Sequence, residues 1–395
     1  MLEKNPSLKE LFGFVKAGFT EFYKSEPQWI VSAPGRVNVI GEHTDYNEGF
    51  VLPMAIERYT IIAANRSKKG NFLNWHCAKT NRTAKIELTK SIKKGEHGNW
   101  TNYIAGVFAG YQELGIETGA LDVFMYSSVP IGGGLSSSAA LEVSTATLIE
   151  AVSGKTIDKV KKALLCQKAE HSYAGMPCGI MDQFISALGK KDNLLLIDCR
   201  TQKYELVPMN DDAVSVLIFN TNVKHKLVGG EYAQRRKQCE EAAKILGVRA
   251  LRDANVKQLN EHQNRIDSTV YKRVLHVIEE NERTLKCVEM IKSRKWVDVG
   301  NLLYSSHNSL KNMFEVSCEE LDIVVEFAQQ IGVDGGVYGC RMTGGGFGGC
   351  TVALIKTNSA QDIASKLIDG YTKRTGIEPS VFASRPANGA EVLMQ

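Results

Sequence analysis

A run of glycines and serines between a predicted strand and a predicted helix constrains this fold more than any other feature of the sequence. The run is Pro130-Ile-Gly-Gly-Gly-Leu-Ser-Ser-Ser-Ala-Ala140. Residues 121–126 alternate as in a strand, and the residues after the run have apolar side chains at helical spacing. Glycines let an anion approach the backbone closely, and a helix N-terminus offers unpaired N–H groups and a positive dipole end. The run therefore predicts a site for the phosphates of a nucleotide.

A tight turn with serine caps is the alternative interpretation of this run. Three glycines followed by three serines exceed what such a turn requires, and the hydroxyl groups add donors or a magnesium ligand. Phosphate binding is the favoured interpretation.

Two other glycine-containing segments do not match common nucleotide-binding motifs. Gly154-Lys-Thr156 is not a Walker A loop, because Ile149 occupies the position of the leading glycine. Gly344-Gly-Gly-Phe-Gly-Gly349 contains G-x-G-x-x-G, but the strand-like residues 351–355 follow it, whereas a helix follows a Rossmann fingerprint. We predict a glycine-rich hairpin or loop there. It either lets two segments approach each other or a ligand closely, or it has a purely structural role.

A dense group of polar residues lies in Gly35-Arg-Val-Asn-Val-Ile-Gly-Glu-His-Thr-Asp-Tyr-Asn47, after the predicted strand at 29–32. We place its polar residues in the loop that follows the strand: Arg36, Glu42, His43 and Asp45. Carboxylates and imidazole can bind hydroxyl groups, and a guanidinium can stabilise phosphoryl charge. A polyol with a phosphate donor would use the whole set, whereas a solvated turn is the alternative.

The composition is that of an ordinary globular protein, with 43% hydrophobic and 23% charged residues. A net charge of +4 is too balanced for nucleic acid or anionic lipid. Nine cysteines without a C-x-x-C pair indicate neither a disulfide framework nor a zinc ribbon. Without a signal-peptide pattern or a long apolar stretch, we expect a cytoplasmic protein that binds neither nucleic acid nor membrane.

The predicted secondary structure divides the chain into a strand-rich first part and a helix-rich second part. Its 395 residues suggest two or three domains, at ~100 to 200 residues per domain. Strands are predicted at 59–64 and 214–220, and long helices at 231–246, 270–294 and 318–330. We place a boundary near residue 205, which gives domains 1–205 and 206–395.

Two local patterns in the second half carry further expectations. Ser317-Cys-Glu-Glu320 matches a capping box for the helix at 318–330. The basic cluster Arg235-Arg-Lys237 is expected on the solvated face of its helix.

The polar motif, extended to Gly35-Arg-Val-Asn-Val-Ile-Gly-Glu-His-Thr-Asp-Tyr-Asn-Glu-Gly-Phe-Val-Leu-Pro53, resembles the galactokinase signature. The run at 130–140 resembles the nucleotide loop of the wider galactokinase, homoserine kinase, mevalonate kinase and phosphomevalonate kinase superfamily. Gly339-Cys-Arg-Met-Thr-Gly-Gly-Gly-Phe-Gly-Gly-Cys350 resembles its third motif, although Gly345 replaces an alanine of many members. The resemblance covers nearly the whole chain. It implies a two-domain α+β kinase fold with the active site in the inter-domain cleft, and the use of ATP to phosphorylate the anomeric hydroxyl of galactose. We expect the protein to be a monomer.

The resemblance also implies a catalytic pair, Arg36 and Asp182, with Asp182 as the base. Asp182 lies in Gly179-Ile-Met-Asp-Gln183, near the start of a helical run at 180–188. The helix dipole favours a carboxylate there, so the sequence alone leaves open whether Asp182 is a base or an ordinary N-terminal acid.

The remaining site residues come from the same resemblance. Ser138 and Glu170 match magnesium ligands, and Glu170 shares a helical face with Ala163 and Cys166, so it can point inward. The positions that match sugar contacts are Glu42, His43, Thr44, Asp45, Gly179, Asp182 and Tyr232. The expected nucleotide contacts are Pro130, Ile131, Gly132, Gly133, Gly134, Leu135, Ser136, Ser137, Ser138 and, in the adenine pocket, Trp100.

Two alternatives remain within this family. One is a kinase for N-acetylgalactosamine, and the other is a catalytically silent sensor of galactose and ATP. Thr44 and Asn47 resemble the galactose form, and the intact Arg36, Asp182 and serine run favour an enzyme.

Overall fold

The computed structural model describes residues 1–68, 70–224 and 228–395. Its strands in these ranges are β1 (Trp29–Asn38), β2 (Phe50–Val51), β3 (Pro53–Arg66), β4 (Phe72–Cys77), β5 (Arg82–Glu87), β6 (Leu121–Ser127), β7 (Asn193–Asp198), β8 (Lys203–Pro208), β9 (Val214–Lys224), β10 (Val337–Thr343), β11 (Gly348–Lys356), β12 (Ser380–Ser384) and β13 (Glu391–Met394). Its helices are α1 (Leu8–Tyr23), α2 (Thr101–Glu113), α3 (Ser137–Ser153), α4 (Lys159–Ala169), α5 (Met181–Leu188), α6 (Val228–Leu246), α7 (Val256–Glu261), α8 (Ser268–Lys292), α9 (Trp296–Ser309), α10 (Glu319–Ile331) and α11 (Ala360–Thr375). This mixture of helix and sheet confirms the predicted α+β class.

The strands form three sheets in the described residues. The largest has the order β13-β1-β3-β6-β4-β5, the second β10-β11-β9-β12, and the smallest β2-β7-β8. All residues of β1 are buried, because α3 and α5 pack on this strand between its two neighbours. Helices α9 and α10 pack on β10 of the second sheet. Strand β1 and the β10–β11 hairpin are thereby fixed as rigid supports for the motifs at their ends.

One apolar cluster joins the first half of the chain to the second. It includes Val37 and Leu135 from the first half and Ile218, Cys287 and Val352 from the second, all buried. The predicted boundary near residue 205 falls within β8, and β13, from the end of the chain, pairs with β1. The division at 205 stays a prediction. No helix within 1–68, 70–224 or 228–395 has the length and apolarity that a membrane crossing needs.

Three local predictions were wrong, namely those for Arg36, Ser317 and Arg235. Strand β1 continues to Asn38 through a bulge between Pro34 and Arg36, so Arg36 lies in the strand and not in the following loop. The capping box at Ser317 does not form, because the Ser317 hydroxyl donates to Asp322 Oδ1 at 2.6 Å and Cys318 is the N-cap of α10.

Arg235 is buried instead of solvated. Its guanidinium donates to the carbonyl groups of Phe314 and Glu315, each at 2.9 Å. These carbonyls end a turn of π-helix, Leu310–Phe314, whose wider ring leaves acceptors that a buried arginine can satisfy. Lys237, in contrast, is exposed as expected.

Candidate active site

A cavity of about 570 Å³ lies where β1, the N-terminus of α5, α6 and the β10–β11 hairpin meet. Most of the predicted catalytic, sugar and metal residues line it: Arg36, Glu42, His43, Asp45, Glu170, Gly179, Asp182 and Tyr232. Segments that are far apart in the sequence therefore converge on one space large enough for a small molecule.

Arg36 and Asp182 form an ion pair with two contacts. Arg36 Nε donates to Asp182 Oδ1 at 2.8 Å, and Arg36 Nη2 donates to Asp182 Oδ2 at 2.8 Å. Arg36 is buried in β1, and Asp182 lies in the first turn of α5. The planar guanidinium fixes both carboxylate oxygens, so the orientation of Asp182 is set before any ligand arrives.

The glycine–serine run lies directly against this ion pair. Arg36 donates through Nη1 to the carbonyl of Gly134, and the Ser136 hydroxyl contacts Asp182 Oδ2. Ser136 has the left-handed φ of 58°, which is uncommon for a residue with a side chain, and it is the N-cap of α3 without a side-chain cap. The first N–H groups of α3 are therefore left for an anionic ligand.

The β10–β11 hairpin packs over the same run. Cys350 Sγ donates to the carbonyl of Gly133 at 2.9 Å. At Gly346, where φ is 85°, a Cβ atom would lie 2.2 Å from the carbonyl oxygen of Val316. Close approach of segments, one of the two interpretations left open by the sequence, accounts for this glycine.

Asp45 packs against Gly179, which lies shortly before Asp182 in the chain. A Cβ atom on Gly179 would lie 1.6 Å from Asp45 Oδ2, so only glycine permits this approach. Burial raises the pKa of Asp45 to about 6, and the negative charges of Asp182 and Glu42 add to the rise. Acidic groups are therefore concentrated beside the buried Arg36.

Glu42 and Thr44 support the loop as well as facing the site. Glu42 Oε1 accepts hydrogen bonds from Gly344 N at 2.7 Å and Thr343 Oγ1 at 3.1 Å, and it lies 3.1 Å from Arg341 Nη2. Thr44 is fully buried, and its hydroxyl contacts the carbonyls at the two ends of the loop, those of Gly41 and Phe50. Thr44 is not among the residues that line the cavity, and its predicted sugar contact stays a prediction.

His43 is held as a neutral ring. Its pKa is lowered to about 3, mainly by burial and also by the nearby His276 and Arg235. Its Nδ1 lies 2.8 Å from the Tyr46 hydroxyl, and its ring packs against that of Tyr232 with centroids 5.7 Å apart. A neutral imidazole can donate or accept, which suits contact with a hydroxyl group.

The hydroxyl group of Ser138, one predicted magnesium ligand, lies near the carboxyl group of Glu170, the other, and acts to lower the pKa of Glu170. Burial raises the pKa of Glu170 to about 7, and the charge of Asp182 contributes to the rise. The Gln183 amide donates to Glu170 Oε2 at 2.6 Å and to Glu142 Oε2 at 3.0 Å. Glu142 is fully buried, and its other oxygen, Oε1, lacks a hydrogen-bond partner among the described residues.

Trp100, predicted in an adenine pocket, is the N-cap of α2. It is partly buried and packs against the core beneath the first sheet. It is not among the residues that line the cavity, and its nucleotide role stays a prediction.

A second wall of the cavity was not predicted from the sequence. This wall is formed by His97 and the segment Gly175, Met176, Pro177 and Cys178. The segment immediately precedes Gly179 in the chain, and this adjacency was a signal that could have identified it. His97 carries no such signal, because it reaches the cavity only through the packing of the loop before α2.

Comparison with known proteins identifies the same segments. The galactokinase galactose-binding signature matches residues 17–66, the GHMP kinases N terminal domain matches 102–190, and the GHMP kinases C terminal domain matches 287–373. Human galactokinase is 41% identical over 395 residues, which cover 99% of this chain and 98% of the human protein. Galactokinase of Thermotoga maritima is 41% identical over 363 residues, 92% of this chain and 99% of that protein.

Solved structures show the same similarity. Lactococcus lactis galactokinase, crystallised in complex with galactose, superposes with a TM-score of 0.90 at 29% identity, over 96% of this chain and 99% of that one. Methanococcus jannaschii mevalonate kinase superposes with a TM-score of 0.67 at 18% identity, over 91% and 99% of the two chains, and so shares the fold.

Proposed function

Because this chain belongs to the galactokinase family, we propose that it transfers the γ-phosphoryl group of ATP to the anomeric C1 hydroxyl of D-galactose. The products are galactose 1-phosphate and ADP. The observation that carries this proposal is the two-contact ion pair of Arg36 with Asp182, which lies between the glycine–serine run and the loop of Glu42, His43 and Asp45.

Asp182 acts as the general base in this proposal. Its carboxylate accepts the proton of the C1 hydroxyl as the sugar oxygen attacks the γ-phosphorus, and the bond to the bridging oxygen of ADP breaks. Arg36 keeps both oxygens of Asp182 oriented, and it stabilises negative charge that spreads over the phosphoryl oxygens. Ser136 adds a hydroxyl contact that fixes the same carboxylate.

The triphosphate binds at the run from Pro130 to Ser138. The exposed Ile131, Gly132 and Gly134 leave the backbone open to a ligand, and the free N–H groups of α3 favour an anion. Arg36 contacts this run through Gly134, so the nucleotide and the base are positioned by one side chain.

Ser138 and Glu170 fit a magnesium ion. Both present oxygen atoms, their side chains lie near each other, and the carboxylate of Asp182 adds negative charge nearby. Water and phosphate oxygens would complete such a two-ligand site, because Mg²⁺ usually keeps several waters and binds substrate phosphates. A bound Mg²⁺ would neutralise charge on the nucleotide phosphates.

The sugar occupies the part of the cavity lined by Glu42, His43, Asp45, Gly179 and Tyr232. Carboxylates and a neutral imidazole can pair with individual hydroxyl groups, and they are left unpaired when a hydroxyl is missing or inverted. We expect galactose to be preferred over glucose by up to ~10⁴-fold in kcat/KM, because these sugars differ only at the 4-hydroxyl.

The test is ADP release with galactose, N-acetylgalactosamine and glucose as separate acceptors. We expect rapid release with galactose and very slow release with glucose. A higher kcat/KM for N-acetylgalactosamine would support the 2-acetamido sugar kinase, and galactose binding without ADP release would support the silent sensor. Asp45→Ala tests the loop of Glu42, His43 and Asp45: it should reduce kcat/KM for galactose and leave KM for ATP nearly unchanged.

A further inference from the structure

Helix α8 contacts both ends of the sugar loop, which we define as residues 41–50. At the first end, Glu280 Oε1 accepts the backbone N–H of Gly41 at 3.0 Å and that of Glu42 at 3.3 Å. At the second end, Asn281 Oδ1 accepts the backbone N–H of Phe50 at 2.9 Å. Two consecutive residues of one helix thereby satisfy the backbone at both ends of one loop.

Glu280 is itself held in place from two directions. Ser306 in α9 donates to Glu280 Oε1 at 2.6 Å, and Arg283 donates to Oε2 at 2.8 Å. Glu280 is fully buried, and a buried carboxylate is costly unless its oxygens are paired in this way. Apolar side chains would be enough to pack α8 against the loop. A buried carboxylate at position 280 is needed only because its oxygen accepts the backbone N–H groups of Gly41 and Glu42.

A third contact reinforces the first end of the loop. His276 lies one turn before Glu280. Its Nε2 is 3.2 Å from the carbonyl oxygen of Glu42, and its Nδ1 is 2.8 Å from Ser309 Oγ. Both backbone groups of Glu42 are therefore paired with α8. Since His43 and Asp45 follow directly, the position of their side chains depends on these bonds.

We propose that Glu280 and Asn281 are positioning residues that hold the sugar loop in its galactose-binding shape. This inference rests on the proposed function, because it assigns the sugar contacts to the loop. Neither residue lines the cavity, so both act through the backbone of the loop. The glycine–serine run lies on a different segment, and ATP binding should not depend on them.

The experiment compares Glu280→Gln, Glu280→Leu and Asn281→Leu with the wild-type enzyme. Tyr111→Phe is the matched control, because it removes a buried hydroxyl that donates to Glu150 at 2.8 Å, away from the cavity. KM for galactose, KM for ATP and kcat are measured, together with hydrogen exchange of the peptide that spans residues 38–52.

We expect Asn281→Leu and Glu280→Leu to raise KM for galactose by about tenfold or more, with KM for ATP within about twofold of wild type. Glu280→Gln keeps one acceptor oxygen and should show a smaller rise. Exchange in residues 41–50 should become faster in these variants but not in Tyr111→Phe. If Glu280→Leu does not fold, Glu280→Gln and Asn281→Leu decide the question.

Equal changes in both KM values, unchanged exchange in the loop, or the same galactose defect in Tyr111→Phe would overturn the inference. Failure of the proposed function is distinct, because the wild-type enzyme would then release no ADP with galactose. Hydrogen exchange would still report whether Glu280 and Asn281 hold the loop.

Discussion

Arg36 and Asp182 are 146 positions apart in the sequence, and their side chains form two hydrogen bonds of 2.8 Å each. The pair joins strand β1 to the first turn of α5. Gly134 and Ser136 contact the same two side chains, so the glycine–serine run meets the catalytic pair directly. A nucleotide held by the run would place its terminal phosphate beside the proposed base.

Replacement of Arg36 tests the role of guanidinium geometry. Arg36→Lys keeps the positive charge but loses the planar fork that fixes both oxygens of Asp182, and Arg36→Met loses both properties. We expect kcat to fall in the order wild type, Lys, Met, with ~10²-fold or greater loss for Met. Steady-state kinetics with galactose measure this order, and near-normal activity in both variants would contradict the assignment.

Glu170→Gln tests the proposed magnesium ligand. An amide has nearly the same shape as the carboxylate but lacks its charge, so the Mg²⁺ concentration for half-maximal rate should rise. Direct Mn²⁺ binding in the presence of ADP provides a readout that does not depend on turnover. Lys168→Gln, on the exposed surface of the same helical segment, serves as the control. An unchanged metal titration with full activity would make Glu170 a structural residue only.

The pH dependence of galactose binding should report on Asp45, whose pKa is raised to about 6 by burial and by the charges of Asp182 and Glu42. The ionised carboxylate accepts hydrogen bonds from the sugar hydroxyl groups. Its negative charge is lost by protonation as the pH falls through about 6. KM for galactose should therefore rise between pH 7 and pH 5. In Asp45→Asn the side chain does not titrate, and a pH dependence equal to that of wild type would assign the effect to another group.

A pair of neighbouring glycines provides a test of packing in the hairpin. A Cβ atom on Gly345 would lie 3.7 Å from the Tyr232 ring, an ordinary contact, so Gly345→Ala should change stability by less than about 1 kcal/mol. Gly346→Ala would force a left-handed φ and a clash with Val316, at a cost of about 2 kcal/mol or more. Thermal unfolding of both variants measures the difference, and equal stabilities would contradict the hairpin geometry.

The sequence predicted those parts of the molecule that depend on local pattern. The strand before the glycine–serine run and the helix after it follow from residue periodicity, and β6 and α3 confirm them. The long helix α8 was also predicted from spacing. Its bounds differ by two residues at each end from the predicted 270–294.

Features that depend on long-range contacts could not be predicted in this way. Glu280 is one of many charged residues on α8 and has the pattern of a solvated position, yet it is fully buried against a loop about 240 positions away. Arg235 was misplaced for the same reason. Ser317 failed as a cap because Asp322, which also binds Lys311 at 2.9 Å, attracts its hydroxyl.

The most direct test of the central proposal is the turnover of Asp182→Asn with galactose and ATP, measured beside galactose affinity by calorimetry. Asparagine keeps the shape and one acceptor for Arg36 but cannot accept the proton of the C1 hydroxyl. We predict that kcat falls ~10²- to 10⁴-fold while the Kd for galactose changes by less than about threefold. Near wild-type turnover in this variant would contradict the assignment of Asp182 as the base.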